Sequence, residues 1–305
     1  MPNASVLVPA YNEEQNIAPL LARIISESGV AGWALDDIIV IASGCTDGTV
    51  PRAQALAARH AAVRVVEQER REGKSSAINL GLQLARNDDV VLVSGDVMPA
   101  SGTIPALLSR LHDPSVGVVG GRPEPLNDPS SFTGFAAHLL WRLHDMVSRE
   151  ADDNPKCGEL IVFRKRMGGR EIVPAIPASS AVDEVAIQAL AYAAGLRSVY
   201  VADAVVNNWG PETIRDWFTQ RRRINTGHIL SARDGYRPST MRATTVLRCV
   251  ATDRLARRHP VWTLAVVSIE VAARLCGRFD AARGHGHTVW RVARTTKRAI
   301  EEEAS

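Results

Sequence analysis

One carboxylate stands where the surrounding sequence could support metal chemistry. Asp96 belongs to the segment Ser94-Gly95-Asp96, which directly follows an apolar run at residues 90–93. Continuous Val and Leu runs are typical of strands buried on both faces, and ligands of open α/β sheets bind beyond the carboxyl ends of such strands. A carboxylate there can hold a hard divalent cation against a phosphate. The alternative is a strand that ends in an ordinary Asp-containing turn, since short motifs also occur by chance.

Cationic residues that could bind a phosphate occur at two other places. Lys74 follows a glycine at the start of a predicted helix, where backbone N–H groups and one point charge suit a phosphate. Gln220 and Arg223 are three residues apart and therefore share one face of a helix predicted around 212–223. With the two arginines between them they would suit a pyrophosphate, and a solvated basic helix is the alternative.

The elements that carry these residues alternate regularly through the first hundred residues. The predicted strands are 5–10, 37–42, 63–67 and 90–94, and the predicted helices between them are 14–28, 50–60 and 77–85. Strands that alternate with helices at short spacing indicate an α/β fold with a parallel, doubly wound sheet. The glycine motifs GxGxxG and GxxxxGK[ST] are missing after every predicted strand, which argues against ordinary dinucleotide and P-loop sites.

The regular alternation stops after residue 96. The later pattern predicts helices at 101–111 and 131–148, a further helix that starts within 179–184 and runs to 194, and strands at 116–121, 159–164 and 198–206. We interpret the strand at 159–164 as an edge strand. His138, Trp141 and His144 lie in the helix 131–148, and we interpret them as packing residues rather than as ligands.

The segment 260–274 is strongly apolar but contains Glu270 and Arg274. A helix that crosses a bilayer needs about 20 predominantly apolar residues, so this segment is too short for a span. It predicts a helix that is either buried or amphipathic and interfacial.

Composition limits the class of protein. With 46% hydrophobic and 23% charged residues, a chain of 305 residues is globular and can form one large domain or two small ones. The four cysteines show no paired or metal-type spacing, and the first residues show no signal-peptide pattern. We therefore expect a cytoplasmic protein.

Charge is distributed unevenly along the chain. Residues 1–210 carry 18 Lys and Arg against 24 Asp and Glu, a net charge of −6, whereas residues 211–305 carry 18 against 9, a net charge of +9. A basic C-terminal part suits an anionic partner, namely a phosphate, a lipid surface or a nucleic acid. A solvated basic face is the alternative.

Six motifs in a fixed order give the sequence a family resemblance. They are VLVPAYNEE at 6–14, SGCTDGT at 43–49, REGKSSAINLGL at 71–82, SGD at 94–96, Asp183-Glu184, and QRRRI at 220–224. Residues 5–227 thereby resemble family-2 glycosyltransferases of the GT-A fold. They are most similar to the branch that carries a Gln-x-x-Arg-Trp motif, as in cellulose- and hyaluronan-synthase-like catalytic domains.

The resemblance implies an α/β fold of GT-A type, with a mostly parallel, doubly wound sheet and a C-terminal helical extension. The catalytic domain would comprise residues 1–227, with a nucleotide-binding half at 1–100 and an acceptor half at 101–227. A basic helical extension would follow at 228–305. The residues implied to bind the donor are Pro9, Tyr11, Glu13, Ser43, Lys74, Ser94, Gln220 and Arg223.

The implied reaction is an inverting transfer of a sugar from a nucleotide-sugar to an acceptor hydroxyl group. A Mg²⁺ or Mn²⁺ ion on Asp96 would neutralise the leaving diphosphate, and a carboxylate would take the proton of the acceptor. The family's acidic pair reads Glu-Asp, with the second residue as the base. Here the order is Asp183-Glu184, so the resemblance implies Glu184 as the base. The alternative is that both residues only stabilise the start of a helix.

The resemblance leaves the partners partly open. The acceptor could be a saccharide, a lipid-linked molecule or a small molecule, an anionic membrane surface is a further candidate, and no nucleic-acid partner is expected. Ser94 replaces the first Asp of the family's Asp-x-Asp motif, and Ser43 lies where an Asp pair helps to read uracil, so a UDP donor is not assured. The flanking transmembrane helices of the synthase-like members are missing, which argues against processive polymer export.

Two other functions compete with this interpretation. A catalytically silent protein that binds nucleotide-sugars, or a scaffold, would explain the two serines at motif positions. A sugar nucleotidyltransferase would need a Gly-rich, Arg-containing loop after the first strand, and the sequence PAYNEE at 9–14 does not provide one.

Overall fold

The computed structural model describes residues 1–151, 154–178, 180–233, 235–284 and 296–300. The strands in these ranges are β1 (Asn3–Ala10), β2 (Ala34–Ser43), β3 (Val63–Gln68), β4 (Asp89–Val93), β5 (Val97–Pro99), β6 (Val116–Pro125), β7 (Leu160–Arg164), β8 (Arg166–Met167), β9 (Arg170–Glu171) and β10 (Arg197–Asn208). The α-helices are α1 (Ile17–Ser26), α2 (Thr49–Ala57), α3 (Lys74–Leu84), α4 (Thr103–Leu108), α5 (Phe132–Arg149), α6 (Asp183–Ala193), α7 (Ile214–Arg233), α8 (Ala243–Thr252), α9 (Arg254–Arg258) and α10 (Pro260–Ala282). Short 3₁₀ turns lie at Val30–Gly32, Ser109–His112 and Ser239–Met241.

Eight strands form one sheet in the order β3-β2-β1-β4-β7-β6-β10-β5. The strands β3, β2, β1 and β4 are parallel to one another, and so are β6 and β10. The antiparallel pairs are β4 with β7, β7 with β6, and β10 with β5. The predicted α/β fold with a mostly parallel sheet and a helical C-terminal region is confirmed.

The apolar runs of the first strands form two layers of core. In β1, Val6 and Val8 pack on the side of α1, whereas Leu7 packs on the side of α3. Successive side chains of a strand point to opposite faces, so a strand covered on both faces must be apolar throughout. The carboxyl ends of β1, β2 and β4 consequently meet at one edge of the sheet, and the loops there carry the predicted site residues.

One strand lies in an unexpected place. The strand predicted as an edge is β7, and it lies inside the sheet between β4 and β6. Its residues from Leu160 to Phe163 are fully buried. The edge prediction is therefore wrong, because such a continuous apolar run is typical of an interior strand.

Two helices differ from their predicted limits. Helix α3 begins at Lys74, three residues earlier than predicted, so Lys74 lies in the first helical turn. Helix α7 continues to Arg233 and passes through the predicted domain boundary after residue 227. The division of the chain into domains stays a prediction.

Helix α10 has 23 residues and packs along α7. The Arg221 guanidinium donates to Glu270 at 2.7 and 3.0 Å, and that of Arg222 donates to Asp280 at 2.6 and 2.5 Å. The helix is long and apolar enough to cross a membrane by length and composition. The prediction that this segment is too short for a span is wrong, since the helix continues eight residues beyond 274.

The segment 296–300 returns to the first half of the chain. Ile300 is buried in the layer that contains α1, and its N–H donates to Asn16 Oδ1 at 3.0 Å. The Trp209 indole N–H donates to the Ala299 carbonyl at 3.1 Å. Within the predicted basic extension at 228–305, residues 234, 285–295 and 301–305 lie outside the described residues.

Candidate active site

A cavity of about 860 Å³ lies at the carboxyl ends of β1, β2 and β4. All the residues predicted to bind the donor, to hold the metal or to act as the base line this cavity. They are Pro9, Tyr11, Glu13, Ser43, Lys74, Ser94, Asp96, Asp183, Glu184, Gln220 and Arg223. The structure therefore brings these residues together from six separate stretches of the chain, and their individual roles stay predictions.

The loops after β1 and β2 are bonded to each other. Asn12 exchanges two hydrogen bonds with Thr46, one from each residue, at 3.1 and 2.8 Å. The Asp47 carboxylate accepts the backbone N–H of Thr49 at 3.0 Å and that of Glu14 at 3.1 Å. Asp47 thereby fixes the start of α2 and the β1 loop at once. This end of the cavity is held in shape by groups that do not themselves line it.

Ser43 helps to hold a third loop. Its side chain is buried, and its hydroxyl accepts the Glu72 N–H at 3.3 Å and lies 3.5 Å from the Arg70 carbonyl. Arg71, which lies between Arg70 and Glu72 in this loop, places its guanidinium 4.4 Å from the centre of the Tyr11 ring. Ser43 thus supports the loop at 70–72, which forms part of this side of the cavity, and its hydroxyl carries no negative charge.

Asp96 lies near a second carboxylate, Glu13. Burial raises the pKa of Glu13 to about 8, with the Asp96 charge as the next cause, and Lys297 opposes the shift. The Lys297 ammonium contacts the Glu13 carboxylate and donates to the Tyr11 carbonyl at 2.8 Å. Two neighbouring carboxylates repel each other when both are ionised, so a cation beside them stabilises their ionised forms.

The same carboxylates decide whether a divalent cation fits. Within the described ranges, no group of three His, Cys, Asp or Glu side chains could hold a metal by itself. Mg²⁺ is commonly bound by one or two carboxylates together with substrate phosphates and water. Asp96, with Glu13 nearby, fits a cation that is bound together with a diphosphate, and does not form an all-protein cage.

Lys74 links the start of α3 to the start of α6. Its ammonium lies 3.3 Å from the carboxylate of Asp183 and 3.3 Å from that of Glu184. Burial by itself would lower the pKa of Lys74, but these two carboxylates raise it. Lys74 therefore pairs with the acidic residues instead of standing open to a phosphate.

The two acidic residues differ in burial and in charge. The Asp183 side chain is 3% exposed and accepts a hydrogen bond from the Ser75 hydroxyl at 3.1 Å, and burial raises its pKa. The Glu184 side chain is 13% exposed. Burial opposes its ionisation, but Lys74 and Lys156 lower its pKa to about 2. Glu184 is the better placed of the two to meet a substrate.

The three successive arginines of α7 point to different partners. Arg223 donates to the Ala181 carbonyl at 2.6 Å and lies near the acidic pair. Arg221 and Arg222 instead form ion pairs with α10. The structure therefore does not direct all three arginines toward one pyrophosphate. Arg223 lines the cavity with the other predicted donor-binding residues, and its role stays a prediction.

The sequence matches Glycosyl transferase family 2 over residues 5–166, which is more than half of the chain. The chain belongs to this family. The predicted family is thereby confirmed, whereas the resemblance to the Gln-x-x-Arg-Trp branch stays a prediction.

The family's curated members provide partial matches. A dolichol-phosphate mannosyltransferase of Saccharomyces cerevisiae is 32% identical over 109 residues, which are 36% of this chain and 41% of that protein. A dodecaprenyl-phosphate galacturonate synthase of Rhizobium johnstonii is 32% identical over 111 residues, 35% of this chain and 32% of that one. This family-2 chain thus matches less than half the length of these relatives.

Solved structures resemble the fold over more of the chain. A mannosyltransferase from Pyrobaculum calidifontis, in complex with GDP-Man and Mn²⁺, aligns with a TM-score of 0.61 and 22% identity. The alignment covers 92% of this chain and 87% of that one. Glucosyl-3-phosphoglycerate synthase from Mycobacterium tuberculosis aligns with a TM-score of 0.52 and 20% identity, over 73% and 76% of the two chains. These likenesses confirm the GT-A fold of this family-2 member.

Sequence reasoning missed the far wall of the cavity. Lys156, His144 and His228 line it and come from the segment before β7, from α5 and from α7. The His144 ring lies between Trp141 and Tyr200 at centroid distances of 5.3 and 5.8 Å, so it does pack as predicted. Its position on the cavity could not be predicted, because no local motif relates these three residues.

The last part of the cavity is apolar. Its walls include Leu139 and Leu143 of α5, Val250 of α8 and Val266 of α10. Leu247 of α8 and Val271 of α10 also line the cavity, and they are 61% and 52% exposed. The cavity therefore opens to solvent between two apolar helices.

Proposed function

We propose that this member of family 2 is an inverting, metal-dependent glycosyltransferase that moves a sugar from a nucleotide-sugar to an acceptor hydroxyl. The observation that carries the proposal is the position of Glu184. An ionised, partly exposed carboxylate faces the same cavity as Asp96 and the loops that follow β1 and β2. The family membership supports the reaction class.

In the proposed reaction the acceptor oxygen displaces the nucleoside diphosphate from the sugar, and different residues assist the leaving group and the acceptor. A divalent cation on Asp96 would supply a Lewis acid for the charge that develops on the leaving diphosphate. Arg223 adds positive charge on the same side of α6. Glu184 takes the proton from the acceptor hydroxyl.

Lys74 links donor binding to the activation of the base. A carboxylate with a pKa of about 2 is ionised at neutral pH but is a weak proton acceptor. A bound diphosphate offers Lys74 a competing anionic partner. We infer that its contact with Glu184 then loosens, which raises the pKa of Glu184 when the donor is in place.

The acceptor is proposed to be lipid-linked and to come from a membrane surface. Helix α10 exposes a stripe of apolar side chains at helical spacing, namely Val261, Leu264, Val271, Leu275 and Phe279, and α8 adds Leu247. The apolar part of the cavity opens at the same place. The names of the two curated relatives, which include dolichol-phosphate and dodecaprenyl-phosphate, support an acceptor of this kind.

The contacts of α10 favour a helix that lies on the membrane rather than across it. Its other face carries Glu270 and Asp280, both in ion pairs with α7. A spanning position would transfer these charges into hydrocarbon, which is costly. We therefore propose a peripheral, cytoplasmic protein whose basic C-terminal part faces anionic lipid.

Donor binding and transfer test the proposal separately. Thermal shifts with GDP, UDP, CDP and dTDP sugars, each with and without Mn²⁺, should reveal at least one donor that raises the melting temperature only with the metal. That donor should then label a lipid-linked acceptor in vesicles. Metal-dependent donor binding without transfer to any acceptor would indicate the catalytically silent alternative, and the absence of both would overturn the proposal.

A further inference from the structure

The far wall of the cavity carries a cation, Lys156, that is near Glu184 and Glu159 but makes no ion-pair contact with either. The Lys156 ammonium donates one hydrogen bond, to the Cys157 carbonyl at 3.4 Å, and takes part in no ion pair with the described residues. Burial lowers the pKa of Lys156, with the charges of Glu184 and Glu159 opposing the shift. A desolvated charge without a partner is costly, so a position of this kind favours binding of an anion.

The backbone around Lys156 is held in place by three other elements. Its N–H donates to Ser239 Oγ at 3.3 Å, and its carbonyl accepts from Ser148 Oγ at 3.3 Å. The next N–H, of Cys157, donates to the Gln188 side chain at 3.2 Å. Gly158 leaves room for the ammonium, because a Cβ there would lie 3.1 Å from Lys156 Nζ. The cation is therefore fixed at the wall by the fold.

Two histidines on the same wall have unused hydrogen-bonding groups. His144 and His228 are 6% and 5% exposed. Both ring nitrogens of His144 and Nε2 of His228 are buried and form no hydrogen bond of ordinary geometry within the part of the chain that the structure describes, although the Lys156 backbone lies near His144. Buried polar atoms nearly always have a partner, and leaving one unsatisfied costs about 1–3 kcal/mol. Thr240 Oγ1, on the same cavity, is buried and likewise has no partner among the described residues.

The charges that face this wall favour an anion over a cation. Burial lowers the pKa of both histidines well below the ordinary value, and Lys156 and Arg221 contribute to the shift, so neutral rings remain as hydrogen-bond donors. Of the facing carboxylates, Glu270 is paired with Arg221, and Glu184 is paired with Lys74. Burial raises the pKa of Glu159 to about 7, which weakens its negative charge. A phosphate, with several acceptor oxygens, matches one ammonium and two imidazole N–H groups.

We propose that Lys156, His144 and His228 form an anion subsite that binds a phosphate group of the acceptor beside Glu184. The inference rests on the proposed function and names the group by which the acceptor is held. Lys156 lies close enough to affect Glu184 electrostatically, so a phosphate on Lys156 brings the acceptor to the base. The apolar walls of α5, α8 and α10 then accommodate the part of the acceptor that follows the phosphate.

The test compares two probes that differ only in the phosphate. Farnesyl phosphate and farnesol share one apolar chain, and the full-length protein in mild detergent serves for thermal shift and calorimetry. The wild type should bind farnesyl phosphate more tightly than farnesol. In Lys156→Met this advantage should fall about 10–100-fold, the usual loss for a charge-assisted hydrogen bond, and Lys156→Arg should restore most of it. His228→Asn should lower it by a smaller factor.

The controls separate this inference from the proposed function. Metal-dependent donor binding should be unchanged in Lys156→Met. If the wild type itself bound no donor, that result would argue against the proposed function and not against the subsite. His138→Gln is the matched histidine control, because His138 lies on α5 and its Nε2–H donates to the Asn127 carbonyl oxygen outside the cavity. Farnesyl phosphate and farnesol binding equally to the wild type, or an unchanged difference in Lys156→Met, would overturn the subsite.

A third probe identifies the source of the phosphate. Glycerol 3-phosphate carries the group without an apolar chain. Binding of glycerol 3-phosphate that depends on Lys156 would indicate that soluble phosphorylated acceptors use the subsite, whereas binding of farnesyl phosphate alone would assign it to lipid-linked ones. Either result supports a phosphate subsite, because both depend on Lys156.

Discussion

The two ends of the cavity are built in different ways. The end proposed to bind the nucleotide, called the nucleotide end, consists of loops at the carboxyl edge of the sheet, and side chains such as Asn12, Asp47 and Ser43 bond these loops to one another. The end proposed to bind the acceptor, called the acceptor end, consists of packed helices, and its polar groups at His144 and His228 lack partners among the described residues. The nucleotide end is therefore complete without ligand, whereas the acceptor end has hydrogen bonds left for a substrate to make.

Charge separates the two ends as well. Asp96 gives the proposed nucleotide end a negative charge that a divalent cation would offset, whereas the neighbouring Glu13 is paired with Lys297. Lys156 gives the acceptor end a positive character. Glu184 lies between them and is linked electrostatically to lysines on both sides. We expect substitutions at the two ends to have separable effects, metal and donor at one and acceptor at the other.

The largest effect is expected at the nucleotide end, from Asp96→Asn. The amide lacks the negative charge that a hard cation requires, so turnover should be lost together with the metal-dependent part of donor binding. Calorimetry with donor, with and without Mn²⁺, measures the second effect. An unchanged melting temperature of the free protein is the control. Turnover that persists with the wild-type metal dependence would show that Asp96 does not hold the metal.

Between the two ends, Glu184→Gln should lower kcat by about 10²–10⁴-fold, the usual worth of a general base, with donor binding nearly unchanged. Asp183→Asn is the matched variant. Asp183 is buried and bonded to Lys74 and Ser75, so its replacement should mainly reduce stability. The free energy of unfolding should fall by about 1–3 kcal/mol, which a lower melting temperature would show. Reversed results, with rate lost at Asp183 and stability at Glu184, would make Asp183 the base.

Lys74→Met should change the pH dependence of the reaction. With Lys74 present, the Glu184 pKa of about 2 keeps the base ionised throughout the neutral range. Removal of the ammonium removes the largest influence that lowers this pKa, so the pKa rises and the base becomes protonated at higher pH than before. The acidic limb of the kcat/KM profile should therefore shift upward in Lys74→Met. An acidic limb that stays in place would separate Lys74 from the base.

The meeting of the loops after β1, β2 and β4 in one cavity could be predicted from the sequence, because the residues that line it there follow strands. Pro9, Ser43 and Asp96 are far apart in the chain, but each comes at or just after the carboxyl end of a strand in an alternating β-α pattern, and parallel strands bring those ends together. Short motifs then specify which residue faces the site. Local pattern and topology agree here, so each supports the other.

The acceptor end could not be predicted in the same way. Lys156, His144 and His228 meet only because α5 and α7 pack beside the segment before β7, and no spacing in the sequence expresses that packing. The same holds for α10, whose pairing of Glu270 with Arg221 joins residues 49 positions apart. The wrong edge assignment of β7 has a related cause, since strand order depends on contacts made after the chain turns back.

The acceptor end should also respond to changes on the exposed face of α10. Leu264→Gln combined with Leu275→Gln removes two apolar side chains that are 68% and 58% exposed, so the fold should be preserved. Binding to anionic vesicles should weaken by about tenfold, as each side chain loses part of its transfer free energy. Val30→Gln, at another exposed apolar position, should have no effect. Co-sedimentation that does not distinguish the double variant from Val30→Gln would argue against membrane contact through α10.

The smallest effect is expected at Ser43, on the nucleotide end. An Asp at this position would offer an anionic acceptor to the N3–H of uracil, whereas the Ser43 hydroxyl is uncharged and already accepts the Glu72 N–H. We therefore expect weak discrimination for uracil or a donor with another base. Ser43→Ala should change donor preference by only a few-fold, since the hydroxyl contributes one neutral hydrogen bond to a supporting loop. Competition among GDP, UDP, CDP and dTDP measures this preference, and strict UDP selectivity that disappears in Ser43→Ala would show that the hydroxyl itself reads the base.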